Sequence, residues 1–233
     1  MLSKGMAVVI NHLPEKIVVK CSKKIVRGYI KKYARINVKG IENIDKAPGA
    51  KIFVCNHLSN SDALILDKIL KKYDPTFVAG VKLSQDPITN LGTKIVKHIS
   101  IHPNSADKAA LTNIVKLLRN GENLMIFPEG TRSRSGSMIE GKKGVVMIAR
   151  MSKASIIPIS IWGSEKLLPI NKEGEMGQEK WNHAEVNVKI GEAVSLPHKL
   201  VDEKKHQYDD RCLEYIMKEI SFNLPEKYKG IYK

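Results

Sequence analysis

From residue 51 to residue 162 short apolar runs alternate with longer stretches of helical periodicity, a rhythm that few folds accommodate. The runs at 51–55, 76–81, 99–102, 123–127 and 155–162 read as strands, the last interrupted by Pro158. Helical spacing covers 62–73, 88–97, 106–119 and 142–151, and Asn120-Gly121 ends the third of these. Connections of this length suit parallel pairing, so the expected fold is α/β, a mostly parallel central sheet with helices on both faces. Ligand sites in such sheets gather at the carboxyl ends of the strands. A polar loop over 167–184, a late strand over 185–196 compatible with a hairpin arm, and a helix over 202–223 complete the chain.

The turn-rich Asp45-Lys46-Ala47-Pro48-Gly49 precedes the alternation and divides the chain into an N-terminal segment, 1–45, and a main domain, 46–233. Residues 1–14 read as a short helix or arm. Over 16–35, Lys16, Lys20, Lys23, Lys24, Arg27, Lys31 and Arg35 share one helical face. Ile17, Val18, Cys21, Ile25, Val26, Tyr29, Ile30 and Tyr33 fill most of the other. A basic amphipathic helix of this kind can lie on an anionic membrane, each well-placed cation contributing about 1 kcal/mol. A surface helix packed on its own domain has the same pattern, and Gly28 weakens either helix by about 1 kcal/mol relative to alanine.

Thirty-nine Lys and Arg against 24 Asp and Glu leave a net charge of +15, which favours an anionic partner. Nucleic acid is a poor choice, because aromatic residues make up only 6% and no RNA- or DNA-binding signature is present. Three distant cysteines suggest neither disulfides nor a thiolate metal site and fit a reducing compartment. With no signal-peptide pattern and no apolar run of about 18 residues, the expectation is a protein lying peripherally on the cytoplasmic face of the membrane. His98 and His102 have helical metal-ligand spacing, but Pro103 disfavours a helix there, so no metal is expected.

Two stretches carry chemistry. In Asn56-His57-Leu58-Ser59-Asn60-Ser61-Asp62, a neutral imidazole can take a proton from a hydroxyl, and a carboxylate on its other nitrogen would fix the tautomer. An Asp at the start of a helix also complements the helix dipole without any catalytic role. In Phe127-Pro128-Glu129-Gly130-Thr131-Arg132-Ser133, the chain offers an acceptor, a flexible backbone, a hydroxyl and a guanidinium fork suited to phosphate.

Together these blocks resemble the NHxxxxD and FPEGTRS motifs of the glycerolipid acyltransferase family, in particular bacterial 1-acyl-glycerol-3-phosphate acyltransferases. The likeness extends to Val81-Lys82-Leu83 and to the apolar 156–161, and it covers roughly 37–165. It implies that 46–233 is an acyltransferase domain in which His57 and Asp62 are catalytic. Lys82, Glu129, Gly130, Thr131 and Arg132 would bind the acceptor, with Gly130 also a candidate oxyanion donor and Glu129 taking a glycerol hydroxyl or orienting Arg132. The implied donor is acyl-CoA or acyl carrier protein, no cofactor is implied, and the acceptor is a lysophospholipid presented at an anionic membrane surface. One departure stands out: where the family usually ends a strand in arginine, this chain has Ile99-Ser100-Ile101-His102-Pro103-Asn104. Glycerol-3-phosphate or another lysophospholipid therefore stays open as acceptor, as does a non-catalytic lipid- or nucleic-acid-binding role.

Overall fold

In the computed structural model, which describes residues 14–81, 94–102, 107–171 and 178–233, the alternation resolves into a sheet with helices around it. The strands are β1 (Ala34–Lys39), β2 (Lys51–Cys55), β3 (Thr76–Gly80), β4 (His98–Ile101), β5 (Leu124–Ile126), β6 (Ser155–Trp162) and β7 (Ala184–Ile190). Among the described residues these seven form one sheet in the order β1-β7-β6-β2-β5-β3-β4. Every pairing is parallel except that of β6 with β7. The helices are α1 (Glu15–Tyr33), α2 (Asn43–Lys46), α3 (Ser61–Ile69), α4 (Lys108–Arg119), α5 (Gly144–Ser152), α6 (Ser164–Leu167) and α7 (Lys205–Phe222). The helix expected over 88–97 lies mostly outside the described residues.

Pleating explains the layers. Ile52 and Val54 of β2 point into a core shared with Ile114 and Leu118 of α4, Val145 and Ile148 of α5, and Ile216 and Ile220 of α7. Phe53 and Cys55 point the other way, to Ile44 of α2, Ile65 and Leu66 of α3, and Leu167 of α6. The four β2 side chains after Lys51 are fully buried, which is why the strand reads as a continuous apolar run; each large one contributes about 1.5–3 kcal/mol.

Helix α1 turns much of its apolar stripe inward. Val18 and Ile30 are buried, Val26 and Tyr33 pack against the second core, and the Tyr29 ring stacks on Trp181 at 5.6 Å. Its exposed side carries Lys16, Lys20, Lys24, Arg27, Lys31 and Lys32 together with Ile17 and Cys21.

Three features depart from expectation. Residues 34–39 form a strand, β1, at the sheet edge beside β7, although the helix runs into it without a breaker. The late strand stops at Ile190, and Val194 rejoins the sheet only through a single bridge to Ile156. Pro158 sits inside β6 without disrupting it. Its carbonyl accepts from Gly191 N–H at 2.8 Å, so the side lacking an N–H faces the point where β7 has already ended.

The residues after α7 fold back over the segment that follows the Glu129 turn. Met138 N–H donates to Tyr228 O at 2.8 Å and Gly141 N–H to Tyr232 Oη at 3.0 Å. Ser221 Oγ–H donates to Tyr232 O at 2.6 Å. Gly230 adopts a φ of +58°, and a Cβ there would fall 1.9 Å from Met138 O, so only glycine permits this approach.

Candidate active site

Past the end of β2 the side chain of Asn56 continues the ladder to β6. Its Nδ2–H donates to Ile161 O at 2.8 Å, and Ile161 N–H donates to its Oδ1 at 2.9 Å. The chain then turns sharply, and Asp62 enters in the first turn of α3. One carboxylate oxygen of Asp62, Oδ2, accepts from His57 Nδ1 at 2.9 Å, Leu58 N–H at 2.7 Å and Ser59 N–H at 2.8 Å. The loop is thus wound around a buried carboxylate, and Ser59 Oγ–H ties it to Leu168 O at 2.8 Å. A nitrogen that faces a carboxylate already taking two N–H bonds is the protonated one, so Nε2 is the basic nitrogen. Nε2 has no protein partner among the described residues, and the His57 side chain is 17% exposed.

Strands β2 and β5 are parallel neighbours, which places the Phe127 to Ser133 turn beside the His57 loop at the same end of the sheet. The Phe127 ring stacks on the imidazole with centroids 4.0 Å apart. Ser133 N–H donates to His57 O at 2.8 Å. Glu129 is wholly buried and spends both oxygens on main chain: Oε1 accepts from His57 N–H at 2.9 Å and Oε2 from Ile139 N–H at 3.1 Å. Its carboxyl group therefore binds neither Arg132 nor any exposed group; it fixes the backbone of His57. Gly130 supplies the turn's left-handed residue at φ +69°, and its N–H is given to Phe127 O at 3.0 Å, which removes it as an oxyanion donor. Thr131 is exposed at the mouth of the turn.

Burial pushes the Glu129 carboxyl up to about 8, against the two N–H bonds that hold it down and with the Asp62 charge adding to the rise. Between its ordinary value of 4.5 and 8 the folded chain then holds this proton more tightly than the unfolded chain does. Stability from this group is full below that window and is lost as pH rises through it. Chemical denaturation at about pH 5 and about pH 8 should show the wild type losing up to a few kcal/mol more than Glu129→Gln, which cannot titrate. Equal losses in the two proteins would remove the carboxyl from the pH response.

Arg132 is gripped by a residue the sequence pattern did not single out. Its Nη1 is paired with Glu179 Oε1, while Glu179 Oε2 accepts from Asn60 Nδ2–H at 2.9 Å. The Arg132 side chain is 13% exposed and that of Glu179 only 1%. Burial pushes the Glu179 carboxyl up, and the bonds from Arg132 and then Asn60 pull it down. Glu179 lies in the polar stretch read as a plain loop, where one acidic residue among many carries no spacing signal. Lys82 and Asn104 lie outside the described residues. His102 follows β4, and its Nδ1 lies 3.0 Å from Asp107 Oδ2, the N-cap of α4.

The family model described as Acyltransferase matches residues 35–162. A chloroplastic 1-acyl-sn-glycerol-3-phosphate acyltransferase of Arabidopsis thaliana is 29% identical over 70% of this chain and 44% of its own length. A probable 1-acyl-sn-glycerol-3-phosphate acyltransferase of Mycoplasma genitalium is 32% identical over 68% of this chain and 63% of its own. The chain spans about half the length of the first curated relatives it matches. Among solved structures, the 1-acyl-sn-glycerophosphate acyltransferase of Thermotoga maritima aligns with a TM-score of 0.61 at 25% identity, over 95% of this chain and 90% of that one.

Proposed function

The chain belongs to the acyltransferase family, and from that membership we propose that it moves a fatty acyl group from an acyl thioester to the free hydroxyl of 1-acyl-glycerol-3-phosphate, giving phosphatidic acid. The observation that carries this reading is the open Nε2 of His57, whose opposite nitrogen is bound to Asp62. In the reaction Nε2 removes the hydroxyl proton as the acceptor oxygen bonds to the thioester carbonyl carbon. The tetrahedral intermediate collapses with cleavage of the C–S bond, and the imidazolium returns its proton to the departing sulfur. Acid–base help of this kind supplies about 10²–10⁴ in rate, with positioning and oxyanion stabilisation carrying the rest. Arg132, with Lys82 and Thr131, receives the acceptor phosphate. The relatives' names support this acceptor; the thioester is carried by coenzyme A or by acyl carrier protein, and the acyl-transfer assay compares the two.

The acceptor and product are both lipids, so the site works at a bilayer surface. The cations on the exposed face of α1, flanked by Ile17 and Cys21, suit docking of that helix to anionic headgroups on the cytoplasmic face, while β1 and α2, from the same segment 1–45, join the sheet and its core. No helix among the described residues is long and apolar enough to cross a membrane.

The test is acyl transfer by purified protein from radiolabelled acyl-CoA and acyl carrier protein. Lysophosphatidic acid, lysophosphatidylcholine and glycerol-3-phosphate are compared as acceptors in anionic vesicles. Phosphatidic acid is the expected product, formed at least about tenfold faster than any other, as a phosphate-specific pocket requires. Preference for glycerol-3-phosphate or lysophosphatidylcholine as acceptor would overturn the reading.

A further inference from the structure

Arg132 is a cation intended for an anionic substrate, yet it already holds a buried carboxylate. Two consequences are conceivable, and they have opposite signs. Glu179 either competes with the substrate for the guanidinium or aims the guanidinium at it. Three observations favour aiming. Both oxygens of Glu179 are engaged, one by Arg132 and one by Asn60, so the carboxylate is anchored from two sides. Glu179 contacts Arg132 through Nη1 alone, which leaves the Nε–Nη2 edge without a protein partner among the described residues. That edge is the one suited to two parallel bonds with a phosphate. Asn60, moreover, belongs to the loop between His57 and Asp62, so the same carboxylate ties the phosphate grip to the catalytic base.

We propose that Glu179 is a positioning residue for acceptor selection: it fixes the Arg132 fork through Nη1, presents the Nε–Nη2 edge to a phosphate monoester, and holds that edge at a set distance from His57. The inference deepens the proposed function and rests on it for the identity of the phosphate's owner. A lysine at position 132 could not replace the arginine, since a single ammonium cannot bind carboxylate and phosphate on separate edges.

A binding cycle tests it. The probe is a short-chain lysophosphatidic acid below its micellar concentration. Its Kd is measured by calorimetry for wild type, Glu179→Ala, Glu179→Gln, Arg132→Ala and the Glu179→Ala/Arg132→Ala double variant, with turnover recorded beside it. Glu179→Ala should weaken binding about tenfold, the scale of one charge-assisted hydrogen bond, and raise the acceptor KM more than it lowers kcat. Glu179→Gln keeps the side-chain volume and should show an intermediate loss, which guards against misfolding of the alanine variant. In the Arg132→Ala background the Glu179 substitution should change Kd less than about twofold, because a residue acting through another has no effect once its partner is gone. Tighter binding by Glu179→Ala would make the carboxylate a competitor and overturn the proposal. Equal weakening in both backgrounds would make it mere scaffolding and overturn it as well. An intact cycle in a protein that transfers no acyl group would support the clamp while refuting the acyltransferase reading, and a flat cycle in an active enzyme would refute the clamp alone.

Discussion

Replacing His57 with alanine should lower kcat by at least about two orders of magnitude, the lower end for a positioned base, while leaving the fold in place. The reason is how the residue is held. Its main chain is fixed at both polar atoms, N–H to Glu129 and O to Ser133 N–H, and neither bond depends on the imidazole. Asp62 would keep its bonds from Leu58 and Ser59. What disappears is the basic nitrogen and a ring stacked on Phe127, near the surface. Single-turnover acyl transfer beside a thermal melt measures both. Activity within about tenfold of wild type in a folded variant would exclude His57 as the base.

Asp62→Asn separates charge from shape in the same dyad. An asparagine can set its carbonyl oxygen where Oδ2 lies and keep accepting from Leu58 N–H, Ser59 N–H and His57 Nδ1. Its amide then takes the place of Oδ1, a buried atom with no hydrogen-bond partner among the described residues. Stability should fall by about 1–3 kcal/mol for that unpaired buried donor. The larger effect falls on turnover, because a neutral neighbour no longer stabilises the imidazolium formed as the hydroxyl proton is taken. A drop in kcat of about 10²–10⁴ with little change in acceptor KM is expected from steady-state kinetics. A variant that keeps full kcat would show that the carboxylate only shapes the loop.

The βα rhythm gave the parallel core because the central strands β2, β5 and β6 are buried on both faces and therefore nearly continuous in apolar residues, whereas the edge strand β4 exposes His98 and Ser100. The edge strand Ala34–Lys39 escaped because Ala34, Ile36 and Val38 alternate with Arg35, Asn37 and Lys39 over a length too short to stand out against the preceding helix. At the site, His57 and Asp62 were legible since an imidazole and its carboxylate partner sit close together in the chain. Glu129 was visible as a motif member, but its job depends on Ile139 and His57 main-chain atoms, which no residue pattern encodes. Glu179 was illegible altogether: it reaches Arg132 and Asn60 across long stretches of sequence, and only the folded chain brings them together.

The grip of the tail on 138–141 has a genetic corollary. Ile139, whose N–H steadies Glu129, lies between Met138 and Gly141, and both of these are fastened to residues near position 230. A random screen for inactive alleles would thus recover lesions at Gly230 and Tyr232 alongside those at the imidazole itself. Second-site suppressors of such alleles should cluster where the tail meets the Met138 loop.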